Sequence, residues 1–222
     1  MASHEFRTPL TTVGSSAALL ARYTLTEQQD KRAKHIQRIK SSVDHLTGIL
    51  NDVLSLSKLE EGKANIEWNP VNWAGFCDSI LDELKTNLKS GQTFDCQNEA
   101  HDLTFISDER LLKNIFFNLL SNAIKYSPEN TPIIITSEAN EDRLFISIKD
   151  AGIGIPKKEQ QYLFTRFFRA KNAGNIQGTG LGLAIVKRYV ELLNGSITFK
   201  SMEREGTTFF VELPIEKTDK TN

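Results

Sequence analysis

Residues 118–125 read Asn-Leu-Leu-Ser-Asn-Ala-Ile-Lys and lie within a helical pattern that we predict over Glu109–Tyr126. Asn118 and Asn122 are four residues apart, so both amides project from one face of the helix. Neutral oxygen ligands suit Mg²⁺, which keeps several waters and is held mainly by the phosphates of a substrate. Lys125 can place a point charge on a phosphate. Taken alone, a polar stripe on a surface helix explains this stretch equally well.

A second segment, residues 150–156, reads Asp-Ala-Gly-Ile-Gly-Ile-Pro and follows a predicted strand. Asp150 can accept a hydrogen bond from an amino group such as that of adenine. Gly152 and Gly154 let the backbone approach a ligand closely. In isolation this segment is better interpreted as an ordinary turn that ends a strand, because Asp and Gly both favour turns.

Two further elements follow along the chain. Residues 163–169 (Leu-Phe-Thr-Arg-Phe-Phe-Arg) are aromatic and basic, and residues 178–183 (Gly-Thr-Gly-Leu-Gly-Leu) open a helix. A glycine-rich segment before a helix presents free N–H groups and the positive end of the helix dipole to phosphate. It is not a dinucleotide fingerprint, because Leu183 stands in the place of the third glycine and no strand immediately precedes the segment. Residues 170–177 are small and polar, as in a mobile lid over a nucleotide.

The first part of the chain, residues 1–61, has a helical pattern in two arms, and Thr26 and Gln29 predict a capping box at the start of the second. A lone hairpin cannot cover so much apolar surface, so we expect two copies to pair into a four-helix bundle. Packing of the stripe on the C-terminal half of the chain is the alternative. The apolar residues recur at steps of three and four: Leu10, Val13, Ala17, Leu20, Ile36, Ile39, Val43, Leu46, Ile49, Leu50, Val53, Leu56 and Leu59.

The remainder of the chain mixes strands and helices, which predicts an α+β protein. Strands are predicted at Ile66–Trp68, Thr93–Gln97, Leu103–Ser107, Ile133–Ala139, Leu144–Lys149, Ser196–Lys200 and Thr207–Leu213, and helices at Trp73–Leu88, Glu109–Tyr126 and Leu181–Leu193. We expect an α/β sandwich with helices on one face of a mostly antiparallel sheet. The predicted domains are a hairpin at 1–61, a linker at 62–69, an α/β domain at 70–216 and a tail at 217–222.

Composition narrows the class of protein further. The chain has 222 residues, 25% of them charged, with a net charge of -1, so nothing predicts a nucleic-acid partner. It has no apolar run of the roughly 18–20 residues that span a bilayer, and Cys77 and Cys96 are too few for a disulfide framework. A cytoplasmic setting is expected. Because a dense motif follows Met1-Ala2 at once, we expect a fragment of a longer protein, whose upstream regions could anchor it to a membrane.

The four elements of the second half, in this order and spacing, resemble the N, G1, F and G2 boxes of the ATP-binding domain of sensor histidine kinases. This is the Bergerat or GHKL fold, which gyrase and MutL ATPases share. Residues 206–209 (Gly-Thr-Thr-Phe) resemble the last box of the family, and residues 3–10 (Ser-His-Glu-Phe-Arg-Thr-Pro-Leu) resemble its H box. The resemblance covers nearly the whole chain, and one small departure is Phe168, where the family often has tyrosine.

The resemblance implies a homodimeric protein-histidine kinase of a two-component system. His4 would be the phosphoacceptor for ATP in the presence of Mg²⁺, and the phosphoryl group would pass to an aspartate of a response regulator. Glu5, next to His4, can orient the imidazole ring and take up its proton during attack on the γ-phosphate. Thr8, one helical turn further on, could position a water for a phosphatase reaction.

The resemblance also implies roles in the second half. Asn118 and Asn122 would hold the magnesium ion, Lys125 would reach the phosphates and Asp150 would bind the adenine amine. The nucleotide-binding residues expected in full are Asn118, Asn122, Lys125, Tyr126, Asp150, Gly152, Ile153, Gly154, Phe164, Arg166, Phe168, Arg169, Gly178, Thr179, Gly180, Leu181, Gly182 and Thr208.

Two other functions compete with a kinase. An ATPase or switch of the same fold generally has a glutamate one turn before the magnesium-binding asparagine, as general base for water. Asn118 occupies that place here, and an amide cannot serve as a base. A degenerate kinase that acts as a dimeric scaffold is disfavoured, because no nucleotide-binding or acceptor residue is lost.

Overall fold

Two units make up the chain, Met1–Lys63 and Ala64–Asn222. The computed structural model describes residues 2–24, 26–60, 65–174, 176 and 178–216. The predicted α+β class is confirmed, since the elements described in the first unit are helices and those described in the second are helices and strands. None of the described helices combines the length and the apolar character needed to cross a bilayer.

The first unit is a helical hairpin, as predicted. Helix α1 spans Ala2–Leu20, a 3-10 turn covers Thr26–Gln28, and helix α2 spans Gln29–Glu60. The two helices pack against each other. Pro9 lies inside α1, where its missing N–H removes one hydrogen bond of the helix. The capping role predicted for Thr26 concerns a side chain outside the described residues.

Apolar residues of the hairpin divide into a buried and an exposed set. On α2, Ile49, Leu56 and Leu59 are buried. Others remain exposed by 43–58%, which is unusual for so many large apolar side chains on one hairpin. The exposed set is Leu10, Ile36, Val43, Leu50 and Leu54.

The second unit is built on a five-stranded sheet in the order β2-β4-β5-β7-β6. Only β2 and β4 are parallel, and the other three pairs are antiparallel, as predicted. Strands β1 and β3 form a separate antiparallel pair. The strands are β1 (Asn69–Asn72), β2 (Thr93–Asn98), β3 (Thr104–Ser107), β4 (Pro132–Ala139), β5 (Arg143–Asp150), β6 (Ser196–Met202) and β7 (Gly206–Pro214).

Three helices cover one face of this sheet: α3 (Trp73–Leu84), α4 (Glu109–Tyr126) and α5 (Gly182–Leu192). Strands β4, β5 and β7 alternate between buried and more exposed residues, as expected when a single face is packed. The helix residues that fill this core are large and fully buried, including Trp73, Leu112, Ile115, Leu119 and Val190. Burial of each such side chain favours folding by roughly 1.5–3 kcal/mol.

Two predicted elements need correction. Ile66–Trp68 is not a strand: the strand begins at Asn69, where the backbone finds its partner β3. The helix predicted over Trp73–Leu88 ends at Leu84 and continues as a 3-10 turn, Lys85–Asn87. Helix α4, by contrast, has the predicted bounds.

Candidate nucleotide-binding site

Helix α4 carries the polar stripe that begins the site. The Asp108 side chain caps its N-terminus by accepting from the backbone N–H groups of Arg110 and Leu111. The apolar face is buried, which leaves Asn118, Asn122 and Lys125 half-buried on the opposite side. The helix thus presents the three predicted polar residues together, held in place by its own core packing.

The two asparagines keep oxygen atoms available. Asn118 Nδ2 donates to the backbone oxygen of Asn114 over 2.9 Å, so its amide is oriented with Oδ1 free to accept elsewhere. No hydrogen bond joins the Asn122 side chain to any other residue that the structure describes. Carbonyl oxygens of this kind are suitable ligands for a hard divalent cation.

Helix α5 begins directly against Asn118. A Cβ atom placed on Gly182, the first residue of α5, would lie 2.5 Å from Asn118 Oδ1. No described side chain caps this helix, so its first N–H groups are available for an anion. The amide oxygen that could bind a cation and the helix terminus that could bind phosphate therefore face each other.

Lys125 lies beside the glycine-rich segment that precedes α5. A Cβ atom on Gly178 would lie 2.7 Å from Lys125 Nζ. Burial, together with the nearby positive charge of Arg169, lowers the pKa of Lys125 to about 8. Burial also raises the pKa of Tyr126, whose ring lies 5.0 Å from Lys125 Nζ. Two cations close together in a partly dry site favour the arrival of a polyanion.

Asp150 forms the other end of the site, at the last position of β5. It is only 7% exposed, and its Oδ1 accepts from the backbone N–H groups of Gly152 (2.8 Å) and Thr207 (3.2 Å). Burial raises the pKa of Asp150 to about 6, against the opposing effect of these two hydrogen bonds. Both donors use the same oxygen, so Oδ2 is left to accept from a ligand.

The loop after Asp150 requires glycine. Gly154 has a φ of 62°, and a Cβ there would collide with the backbone oxygen of Met202, the last residue of β6. In the turn that follows β6, Arg204 N donates to the carbonyl of Ile153 over 2.8 Å. Ile153 and Gly154 are therefore held against the end of β6 and the turn that follows it, while Gly152 is held by its bond to Asp150.

Three residues that support this loop were missed by the sequence analysis. Ser201 Oγ accepts from Ile155 N over 2.9 Å. Gln160 Nε2 donates to the carbonyls of Ile155 and Ser201, and Asn172 Nδ2 donates to those of Ile153 and Gly154. These three side chains bond to backbone atoms that are distant in the sequence, and such contacts leave no periodic signal, which explains the omission.

The aromatic and basic element, residues 163–169, makes ring contacts and hydrogen bonds with neighbouring parts of the second unit. Phe164 meets Phe199 of β6 edge to face at 5.8 Å, and Phe168 lies 5.9 Å from Tyr162. Arg169 Nη2 donates to the carbonyls of Gly174 and Ile176, and so ties the segment predicted as a lid.

The glycine-rich segment touches this element. A Cβ atom on Gly180 would lie 2.7–2.9 Å from the backbone of Phe167 and Phe168. The neighbouring Thr179 accepts from Leu181 N over 3.2 Å. By contrast, Arg166 is exposed on the surface.

The threonine that the structure places beside Asp150 is one residue earlier than the predicted Thr208. Thr207, rather than Thr208, is paired with Asp150 in the antiparallel register of β5 and β7. Directly paired residues share a face of the sheet, so Thr208 points to the opposite face. The geometry therefore favours Thr207 as the threonine of the nucleotide site.

The predicted phosphoacceptor region lies in the first unit. His4, Glu5 and Thr8 are all in α1, although the side chains of His4 and Glu5 lie outside the described residues. Thr8 is exposed, and its carbonyl accepts from Thr12 Oγ1 over 3.1 Å.

Comparison with known families agrees with this arrangement. The model "Histidine kinase-, DNA gyrase B-, and HSP90-like ATPase" matches residues 107–217, and the model "His Kinase A (phospho-acceptor) domain" matches residues 1–62. The chain belongs to the histidine kinase family, with the phosphoacceptor and ATP-binding domains of a protein-histidine kinase.

Individual relatives give the same result. The circadian input-output histidine kinase CikA of Synechococcus elongatus is 35% identical over 217 residues, which is 96% of this chain and 29% of that protein. The structure of full-length ShkA in complex with AMPPNP is 29% identical with a TM-score of 0.73, covering 97% of this chain and 45% of that one. The chain spans about a third of the length of the curated relatives it matches.

A complex of histidine kinase ThkA with the response regulator protein TrrA is also similar. The match is 25% identical with a TM-score of 0.72, and it covers 99% of this chain and 61% of that one.

Proposed function

We propose that this chain is the catalytic core of a sensor histidine kinase, which phosphorylates its own His4 from Mg-ATP and passes the phosphoryl group to an aspartate of a response regulator. The domains proposed are the hairpin at 1–61, the linker at 62–69, the ATP-binding domain at 70–216 and a tail at 217–222. The setting proposed for this part of the protein is cytoplasmic.

One observation carries the proposal: Asn118 Oδ1 faces the first residue of α5, while Lys125 Nζ lies against Gly178. A carbonyl oxygen, a cation and a helix N-terminus thus converge where a triphosphate would lie. The carboxylate of Asp150 stands at the end of β5 with one oxygen unused, which suits the amino group of adenine. AMPPNP, an ATP analogue, in the ShkA complex supports the same ligand class.

The asparagines fit a magnesium ion. Their neutral oxygens match the preference of Mg²⁺ for oxygen ligands together with substrate phosphates. Bound there, the ion would neutralise charge on the triphosphate. Asn118 and Asn122 would hold it, and Lys125 would add a positive charge from the same helix.

The transfer step uses residues of α1. The unprotonated ring nitrogen of His4 attacks the γ-phosphorus, the bond to the bridging oxygen breaks, and ADP leaves. Glu5 orients the ring and takes up the proton from its other nitrogen. The phosphohistidine then gives the group to the receiver aspartate, and Thr8 positions the water that hydrolyses the product.

The partners proposed are a second copy of the chain and a response regulator. The exposed apolar residues of the hairpin, among them Leu50 at 52% exposure, would be covered in a four-helix bundle. The ThkA–TrrA complex supports a response regulator as partner. Sedimentation of Val43→Asp should give a weaker dimer than the wild type, because the charge would be buried in the bundle.

A labelling experiment separates the kinase from its rivals. Incubation with γ-labelled ATP and Mg²⁺ should give protein that carries an acid-labile label. Free phosphate without labelled protein would indicate an ATPase, and neither product would indicate a scaffold. The presence of Asn118 where related ATPases have a glutamate favours the first outcome.

A further inference from the structure

The segment through which the chain enters the second unit is tied to the start of α4. Asp108 is 1% exposed. While its Oδ1 caps the helix, its Oδ2 accepts the backbone N–H of Glu67 over 2.9 Å. An N-cap residue normally satisfies only its own helix. Here the same carboxylate also holds a residue 41 positions earlier in the chain.

Arg110 closes this connection from the outside. Its Nη2 donates to Asp108 Oδ2 (3.0 Å) and to the carbonyl of Asn65 (3.2 Å), and its Nη1 pairs with Glu67 Oε1 at 3.2 Å. A planar guanidinium can bridge several acceptors at fixed angles. We call Asp108 and Arg110, with their bonds to Asn65 and Glu67, the linker latch.

The charge state of Asp108 suits this role. Burial alone would raise the pKa of Asp108, but the hydrogen bonds from Arg110, Glu67 and Leu111 and the positive charge of Arg110 together hold that pKa below its usual value. The carboxylate is therefore ionised at neutral pH, as the latch requires.

The latch reduces the number of residues between the hairpin and the first position held in the second unit. Helix α2 ends at Glu60, so four residues, 61–64, separate it from the latched segment. Without the latch the first anchored element would be β1 at Asn69, and eight residues would intervene. The maximum reach of these connections is about 14 Å and about 28 Å, respectively.

We propose that Asp108 and Arg110 are positioning residues for phosphoryl transfer, because the linker latch sets how far the ATP-binding domain can move from the helix that leads back to His4. This inference rests on the proposed function. The latch residues belong to the N-terminal end of α4, the helix that carries Asn118 and Asn122. The latch therefore connects the linker directly to the helix of the proposed nucleotide site. In general, doubling the length of a linker lowers the effective concentration of one module near the other about threefold.

If the role of Arg110 were purely structural, its loss would lower stability or nucleotide affinity. The positioning role predicts that neither changes. The pair of Arg110 with the exposed Glu67 adds little to stability, and the buried Asp108 keeps its backbone donors from Glu67, Arg110 and Leu111 when the guanidinium is removed. Loss of Arg110 should therefore leave folding and nucleotide affinity unchanged. Only the autophosphorylation of His4, which requires both domains, should become slower.

The test compares Arg110→Ala with Lys113→Ala in the full chain. Lys113 lies on the same helix and is 51% exposed, but its partner is Glu83 of α3 at 2.7 Å, away from the linker. We expect Arg110→Ala to label about threefold more slowly than the wild type at saturating Mg-ATP. Its nucleotide Kd should stay within about twofold, and Lys113→Ala should match the wild type in both. Arg110→Lys should also be slow, because a compact ammonium group does not reproduce the two separate guanidinium nitrogens that reach Asp108, Asn65 and Glu67.

Hydrogen exchange at the Glu67 amide reports the latch without any kinase activity. The amide should be protected in the wild type and exchange faster in Arg110→Ala. Equal labelling rates, a parallel loss of nucleotide affinity, or equally fast exchange at Glu67 in both chains would overturn the positioning role. A wild-type chain that takes up no label would overturn the proposed function, and with it this role.

Discussion

The backbone N–H of Thr207 donates to Asp150 Oδ1 over 3.2 Å, between residues 57 positions apart in the chain. Because Gly152 N donates to the same oxygen, the carboxylate is oriented by the protein alone, before any ligand is present. Burial leaves its pKa at about 6, so its charge state changes close to neutral pH. Two predictions depend on this residue.

Nucleotide binding should weaken as Asp150 becomes protonated. An ionised carboxylate is the stronger acceptor for the adenine amine, so Asp150→Asn should weaken ADP binding about tenfold or more at pH 8. The difference between the two chains should shrink as the pH falls through about 6 towards 5. Calorimetry of both chains with ADP across this range measures it, and phosphate ionisation cancels in the comparison. A constant difference would contradict the role of the charge.

The same substitution should stabilise the fold. The folded pKa of Asp150 is raised from 3.8 to about 6, so its ionisation costs stability fully above pH 6 and not below about 4. Asp150→Asn should therefore raise the free energy of unfolding at pH 8 by on the order of 1–3 kcal/mol, and by less at pH 4. Urea titrations at both values test this, with the exposed Asp142→Asn as control. An equal effect at both pH values would refute the explanation.

Magnesium dependence should follow Asn122 and not its helix neighbour. Asn122→Ala removes a proposed oxygen ligand and should abolish the part of ATP affinity that Mg²⁺ adds. Asn114→Ala is the matched control, because Asn114 lies on the same helix but is exposed and donates to the carbonyl of Arg110. ATP titrations with Mg²⁺ and with a chelator measure this. Undiminished Mg-ATP binding by Asn122→Ala would contradict the proposal that Asn122 is a magnesium ligand.

The proposed role of Thr8 separates two activities. Thr8→Ala should keep autophosphorylation while a phosphorylated receiver persists longer, because only the hydrolytic water is lost. Thr12→Ala, one turn further along α1, should leave both activities unchanged. The lifetime of the phosphorylated receiver, measured with each variant, tests the separate role of Thr8. Loss of both activities in Thr8→Ala, or an unaltered receiver lifetime, would show that Thr8 has no separate role.

Helix α4 shows what could be predicted from sequence alone. Its apolar spacing, the Asp108 cap and the following Ser127-Pro128 are all local signals, and the predicted bounds, Glu109 and Tyr126, are confirmed. The order of the motifs likewise identified the family. Asn118 and Asp150 were proposed as site residues from local motifs, without knowledge of strand pairing.

Features that depend on distant partners were not predictable. The strand at Asn69 exists because β3 pairs with it, whereas the prediction had placed a strand at Ile66–Trp68. The choice between Thr207 and Thr208 depends on the register of β7 with β5. A shift of one residue in that register moves each side chain to the opposite face of the sheet. The bond from Arg110 to the carbonyl of Asn65 joins residues 45 positions apart and has no local pattern.

Labelling of His4→Gln tests the central claim most directly. The variant should take up no label from γ-labelled ATP, yet bind Mg-ATP with the affinity of the wild type, because all residues of the proposed nucleotide site belong to the second unit. His45→Gln, a substitution in α2, should label normally. Unlabelled His4→Gln with intact ATP binding is the predicted result, and acid-labile label on that variant would show that His4 is not the phosphoacceptor.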